Sequence, residues 1–227
     1  MGSNPGRRET NEMIRNAGLL DRPPIDPAAS ALVIIDMVQW QVPRAADGAL
    51  ATPCFVRRLA DAVIPRLRRL LAACRSANVP VVFLRVGACR SDFSDALPAL
   101  RNLFETADAR DGSPACEVIP EVQPRRGEIS LMKPGSGGFM TTSLDTHLRN
   151  LGVRHVMYTG VLTDACVLLT LAAGYDLGYF GYLISDATAT LSEEAQRSTE
   201  LLVSSFMAEV IDTESALHRI SAEPVHA

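Results

Sequence analysis

The 227-residue chain lacks the features that direct proteins to membranes, to nucleic acids or out of the cell. No apolar run approaches the roughly 20 residues of a membrane span, and residues 1–18 contain no continuous apolar core of a signal peptide. A net charge of -4 provides no basic footprint for nucleic acid. The five cysteines are odd in number and form no CxxC pair, which is atypical of a disulfide framework. We therefore expect a cytoplasmic protein without nucleic-acid or membrane partners.

Signatures of metal and nucleotide binding are also missing. The four histidines show no ligand spacing, and we expect them at the surface. They are His147, His155, His218 and His226. The glycine-rich turn that begins at Gly135 resembles a phosphate-binding loop only superficially, because it lacks the GK[ST] ending. The sequence therefore predicts no metal and no cofactor.

The chain does contain a regular alternation of short apolar runs and helical segments. Six runs predict strands, at 31–36, 80–86, 128–133, 154–160, 179–187 and 208–213. Continuous apolar runs are typical of strands buried on both faces of a parallel sheet, so we predict a three-layer α-β-α fold. Residues 1–29 are predicted to form a polar arm with one short helix around 10–18, and residues 30–227 the domain. The 87–127 segment, with little periodicity, is predicted to be a long loop that serves function or moves.

Several local patterns predict where helices begin and bend. Residues 55–77 have helical periodicity, but Pro65 lies among them, so the helix is expected to start near Asp61 or to kink at the proline. Thr163 or Asp164 is a candidate N-cap for the helix that follows the fourth strand. The run from Thr190 to Glu193 has the pattern of a capping box for a helix at 192–207.

Three chemically useful side chains follow the predicted strands. Because active sites of parallel sheets lie outside the carboxyl ends of the strands, Asp36, Lys133 and Cys166 are expected to converge. A thiol at a helix N-terminus tends toward the thiolate, which attacks carbonyls. Taken singly, each residue has another explanation: a buried packing cysteine, an aspartate that caps a helix, a lysine that reaches solvent. Together they favour catalysis, since adjacent lysine and aspartate stay charged in a cleft and the carboxylate can accept the thiol proton.

The segments around these residues resemble the isochorismatase-like cysteine hydrolase superfamily. The matching stretches are ALVIIDM (31–37), LMKPGSGGF (131–139), TGVLTDACV (159–167) and, more weakly, SDATAT (185–190). The resemblance covers about residues 28–215. It implies a Rossmann-like, isochorismatase-like hydrolase fold with a six-stranded parallel sheet in the order 3-2-1-4-5-6. It also implies a homo-oligomer, a dimer or a tetramer.

The resemblance also implies a role for each site residue. Asp36 would be the base that activates the Cys166 nucleophile, with Lys133 orienting and stabilising the pair. A cis peptide is implied between Val161 and Leu162, and the backbone amides of Leu162 and Cys166 would form the oxyanion hole. The implied reaction is hydrolysis of a C–N bond in a small amide, carbamoyl compound or lactam through a thioester.

The chain departs from the family around the substrate pocket. The usual MQxxF pattern after the first aspartate reads MVQWQ here, so Gln39 or Trp40 is expected to supply that contact. Trp40 and Phe139 either line the pocket or simply pack. Arg85 either binds a substrate carboxylate or carbonyl, or pairs with an acid such as Asp186.

Two other functions stay open from the sequence. One is an isochorismate-type vinyl-ether hydrolase in which Asp36 is a general acid and Cys166 is incidental. The other is a non-enzymatic member that binds or assembles. Vinyl-ether hydrolases of this superfamily commonly lack the cysteine, so its presence favours C–N hydrolysis. Nicotinamidases carry a metal-binding D-x-H stretch after strand two, and the corresponding LRVGACRSD has no histidine, which disfavours nicotinamide as the substrate.

Overall fold

The computed structural model describes residues 23, 25–42 and 50–221, so the arm helix expected around 10–18 lies outside them. The described strands form one parallel sheet in the order β3-β2-β1-β4-β5-β6, which confirms the predicted fold. The strands are β1 (Ser30–Ile35), β2 (Val81–Val86), β3 (Ile129–Lys133), β4 (His155–Val161), β5 (Phe180–Ala189) and β6 (Ala208–Ile211).

Helices separate the strands and cover both faces of the sheet. They are α1 (Pro53–Arg58), α2 (Ile64–Ser76), α3 (Arg101–Thr106), α4 (Gly138–Thr141), α5 (Leu144–Asn150), α6 (Leu168–Asp176), α7 (Glu193–Phe206) and α8 (Thr213–Ser221). Within the described ranges, every helix is too short or too polar to cross a lipid bilayer.

The central strand β1 is apolar from Ala31 to Ile35 because both of its faces are buried. Leu32 and Ile34 pack into the core on one face of the sheet, with α2 and α8, while Val33 and Ile35 pack into the core on the other. All six residues of the strand are buried. Each large aliphatic side chain contributes roughly 1.5–3 kcal/mol by leaving water.

The helix that contains Pro65 begins at Ile64, close to the start expected near Asp61. The chain continues from α1 through a π-helical turn (Leu59–Val63) into α2, and Pro65 occupies the first turn of α2. Since proline has no amide hydrogen to donate, the first turn of a helix tolerates it, and the wider π turn takes up the mismatch.

The segment predicted as a long loop is ordered against the end of β1. It contains α3 and two short 3-10 helices (Pro114–Cys116 and Pro120–Val122). Val118 forms an antiparallel bridge with Val38. This segment therefore forms a wall beside the carboxyl edge of β1 rather than a free connection.

The predicted helix caps are wrong at two helices. After β4 the chain enters a π-helical turn (Thr163–Val167) without a side-chain cap from Thr163 or Asp164. At α7 the cap is Ser192, whose hydroxyl accepts a hydrogen bond from the amide of Ala195 at 3.2 Å, while Thr190 is not part of a capping box. The side chains of Thr163, Asp164 and Thr190, which do not cap a helix, form hydrogen bonds with other parts of the fold.

Gly160 is required where β4 passes β1, since its φ is +100° and a Cβ there would overlap the carbonyl oxygen of Ile35. We expect Gly160→Ala to lower the free energy of unfolding by about 3 kcal/mol or more, from strain and overlap together. Gly178→Ala is the matched control, because Gly178 also has a positive φ (+89°) but open space around it. It should lose only about 1–2 kcal/mol. Urea titration measures the free energy of unfolding of both variants. Equal losses would contradict the overlap of the added Cβ with the Ile35 carbonyl.

Candidate active site

Three side chains from three parts of the fold meet at the carboxyl edge of the sheet. Asp36 directly follows β1, Lys133 is the last residue of β3, and Cys166 lies in the π-helical turn that leads into α6. Lys133 Nζ is 2.8 Å from Asp36 Oδ2, and both side chains are completely buried. Both charged groups also act on the thiol of Cys166, which lies beside them. The sequence-predicted trio is therefore one contiguous group.

Lys133, the only lysine of the chain, has an enclosed ammonium group. Besides its ion pair with Asp36, it donates hydrogen bonds to the carbonyl oxygens of Gly135 (3.1 Å) and Ser136 (2.9 Å), so three oxygen atoms surround its three N–H groups. Burial alone lowers the pKa of Lys133, but the negative charge of Asp36 outweighs it and raises the pKa above the ordinary value. The environment of the lysine therefore favours its charged form.

The same burial acts in the opposite direction on Asp36. Removal from water raises the pKa of the Asp36 carboxyl, and the attraction and hydrogen bond of Lys133 offset this only in part. An aspartate with a raised pKa is a stronger base than an exposed one. It can hold a proton that it takes from a neighbouring group.

The surroundings of Cys166 disfavour the ionised form of its thiol. Burial raises the pKa of its thiol to about 12, repulsion from Asp36 adds to this, and Lys133 opposes it. The head of a helix therefore does not by itself produce the thiolate here. The carboxylate nearest to this thiol belongs to Asp36, and it acts on the pKa of the thiol.

The backbone turn before Cys166 is tightly closed. The peptide bond between Val161 and Leu162 is cis. The carbonyl of Leu162 accepts hydrogen bonds from the amides of Ala165 and Val167, each at 3.1 Å. The amides expected to form an oxyanion hole, those of Leu162 and Cys166, both belong to this turn.

Trp40 and Gln39 follow Asp36 in the chain and pair through their amides with the carbonyls of Ala115 and Glu117, but their side chains have different settings. The indole Nε1 of Trp40 donates to the carbonyl of Val86 at 2.9 Å, and its ring contacts Phe104 edge to face. The Gln39 side chain is exposed. Trp40 thus ties the segment after β1 to the end of β2.

The other two pocket candidates are engaged elsewhere. Arg85 donates to Ser130 Oγ at 3.0 Å and pairs with Asp111 rather than with Asp186. Phe139 is buried and stacks on Tyr179, with ring centroids 5.3 Å apart. Phe139 belongs to the same cluster of buried residues as Cys166, whereas the contacts of Arg85 are with Ser130, Cys116 and Asp111.

Gln41 is a buried polar residue that the sequence reasoning missed. Its side chain is 5 % exposed, and among the described residues its Oε1 has no hydrogen-bond partner. The amides of Gln41 and Val42 both donate to the carbonyl of Val38, so the chain turns back close to the end of β1. No sequence signal distinguished it from its exposed neighbour Gln39.

The three described histidines, His147, His155 and His218, do not gather into a ligand set. His155 is buried rather than at the surface, with its ring stacked between Phe180 and Tyr182. His226 lies outside the described residues. In the part of the chain that the structure describes, no three or more His, Cys, Asp or Glu side chains are arranged to hold a metal ion.

The fold and the site define a Rossmann-like α/β protein with a buried aspartate, lysine and cysteine at the carboxyl edge of its sheet. Residues 30–215 match the model of the Isochorismatase domain family. The chain belongs to this family and is an isochorismatase-family hydrolase.

Curated relatives include ureidoacrylate amidohydrolases named RutB. The protein from Serratia proteamaculans is 30% identical over 212 residues, which cover 86% of this chain and 84% of the relative. The protein from Klebsiella pneumoniae (strain ATCC 700721 / MGH 78578) is also 30% identical, over 210 residues that cover 86% and 88%.

Solved structures show the same fold. A cysteine hydrolase from Pseudomonas syringae pv. phaseolicola has a TM-score of 0.78 and 28% identity, covering 88% of this chain and 96% of that one. An N-carbamoylsarcosine amidase from Thermoplasma acidophilum has a TM-score of 0.65 and 27% identity, covering 82% and 96%.

Removing the buried cation should expose its role in stability. We expect Lys133→Met to lower the free energy of unfolding by about 3–5 kcal/mol, because Asp36 is then buried without a counter-charge. The double variant Asp36→Leu/Lys133→Met should recover most of this loss, since neither charge remains. Urea titration of the wild type and of both variants provides the comparison. A double variant as unstable as Lys133→Met would contradict the conclusion that the loss comes from the unpaired charge of Asp36.

Proposed function

We propose that the protein is a metal-independent cysteine amidohydrolase that cleaves the C–N bond of a small amide, carbamoyl compound or lactam. The observation that carries the proposal is the buried Lys133–Asp36 ion pair, at 2.8 Å, in contact with Cys166 at the head of α6. The chain's own residues supply a base, a cation and a nucleophile. The relatives named as ureidoacrylate amidohydrolase and N-carbamoylsarcosine amidase support a nitrogen-containing substrate.

The first half of the reaction forms a thioester. Asp36 takes the proton of the Cys166 thiol, and the sulfur attacks the substrate carbonyl carbon while Lys133 stabilises the negative charge of the site. The tetrahedral oxyanion accepts hydrogen bonds from the Leu162 and Cys166 amides. As the C–N bond breaks, Asp36 returns its proton to the leaving nitrogen, which departs as ammonia or an amine.

The second half regenerates the enzyme. Asp36 accepts a proton from a water molecule, whose oxygen attacks the thioester carbonyl. The C–S bond breaks, the acid product leaves, and the Cys166 sulfur recovers a proton from Asp36. The raised pKa of Asp36 suits both halves, because the group accepts and returns one proton in each. A homo-oligomer and a cytoplasmic location stay predictions.

The nucleophile is tested by substitution. A screen of amides, ureas and lactams, read by ammonia release and by mass spectrometry for ring-opened lactams, should find a substrate of the wild type. Cys166→Ala should lower its turnover by about three orders of magnitude or more, since no group replaces the sulfur. Cys89→Ala is the control, because Cys89 is an exposed thiol. Full turnover by Cys166→Ala, or its unchanged consumption of isochorismate, would refute the cysteine mechanism.

The base is tested by pH dependence. Asp36 acts only when it has lost its proton, so kcat/KM should fall as the pH drops through the pKa of Asp36. That pKa is raised by burial, which puts the acid limb above the ordinary aspartate value of about 3.9. Lys133→Met removes the cation that lowers it, so the limb should move to still higher pH. An acid limb at or below pH ~4 in the wild type would contradict Asp36 as the base.

A further inference from the structure

A group of buried polar side chains lies beside the turn that carries the nucleophile. Its members are Thr163, Thr188, Thr190 and Gln196, each at most 3 % exposed, and we call them the polar cluster. Polar side chains are rarely buried to this degree without a specific set of partners. Neither the proton transfers nor the oxyanion contacts of the proposed reaction use any of them.

Gln196, on the first turn of α7, has its whole carboxamide engaged. Its Oε1 accepts a hydrogen bond from the Thr163 hydroxyl at 2.7 Å. Its Nε2 donates to the Thr188 hydroxyl at 3.2 Å and to the Glu200 carboxylate at 2.7 Å. Because Glu200 and Thr188 fix the nitrogen end, the oxygen end is held toward Thr163.

Thr163 is the residue of the nucleophile turn that receives this contact. It directly follows Leu162, whose carbonyl closes the turn, and it comes three residues before Cys166. The next residue, Asp164, accepts a hydrogen bond from the hydroxyl of Thr190. The turn is thus attached at two successive side chains to the end of β5 and the start of α7.

These contacts also explain two patterns in the sequence. Thr163 and Asp164 fail to cap α6 because their side chains are bound to Gln196 and Thr190 instead. The SDATAT stretch (185–190) contains no group of the catalytic trio, yet it supplies Thr188 and Thr190 to the polar cluster.

We propose that Gln196 is a positioning residue that fixes the Leu162–Cys166 turn, and with it the thiol and the two oxyanion amides. The inference rests on the proposed function for its effect on turnover. Gln196 is neutral, so it acts through geometry and leaves the charges of Asp36 and Lys133 unchanged. Removing its hydrogen bonds should therefore lower kcat by about 10- to 100-fold with little change in KM.

The test is a double-mutant cycle on the shared hydrogen bond. Gln196→Met keeps the side-chain length without the amide, and Thr163→Val keeps the shape without the hydroxyl. If both act through one contact, the double variant should lose no more kcat than the worse single variant. Thr163→Ser should retain most activity, because it keeps the hydroxyl. The control is Thr199→Val, also buried on α7, whose hydroxyl bonds only within the helix to Ala195.

A second measurement needs no substrate. Peptide mass spectrometry follows alkylation of Cys166 by iodoacetamide, with the exposed Cys89 as an internal reference. Gln196→Met should change the rate at Cys166 and not at Cys89. If no tested amide is hydrolysed by the wild type, the proposed function fails and the alkylation rate alone decides whether Gln196 positions the thiol.

Several outcomes would overturn the inference. They are full kcat and an unchanged alkylation rate in Gln196→Met, a loss equal to that in Thr199→Val, or fully additive losses in the double variant. If Gln196→Met does not fold, the comparison of Thr163→Val with Thr163→Ser decides. Equal activity of those two variants would then overturn the inference.

Discussion

The buried ion pair between Lys133 and Asp36 is the interaction on which the site depends. Either charge alone would be costly to bury, so each requires the other at close range. The pair spans three strands, and the register of β1, β2 and β3 sets its distance. Ile35 lies opposite Leu84, and Val86 opposite Lys133, which brings both side chains to the same edge.

Burial then determines the chemical character of the three side chains. It raises the pKa of the Cys166 thiol and of the Asp36 carboxyl, while two carbonyls and a carboxylate surround the ammonium group of Lys133. The surroundings of Cys166 therefore oppose the thiolate that a helix N-terminus would favour. Under the proposed mechanism the thiolate forms by proton transfer to Asp36, and this requires a backbone that holds the two groups together.

Much of the fold could be predicted because parallel strands buried on both faces have a strong apolar signal. The carboxyl-end rule then brought Asp36, Lys133 and Cys166 together without any distance information. Local capping patterns were less informative. Thr163 matched the pattern of a helix N-cap, but its hydroxyl donates instead to the buried side-chain amide of Gln196 on another helix. The sequence offers several acidic residues as possible partners of Arg85. Only the packing of the 87–127 segment places Asp111 beside it.

The sequence by itself determined the strand pattern, the residue types at the strand ends and the single lysine that can neutralise a buried carboxylate. The tertiary structure decided which polar groups meet: the Trp40 indole with the Val86 carbonyl, and Gln196 with Thr163. The physical reason is the length of chain over which each feature is encoded. Burial patterns and helix periods are encoded over a few neighbouring residues, whereas a hydrogen bond between elements depends on distances to within a few tenths of an ångström, and these follow only from the packed whole.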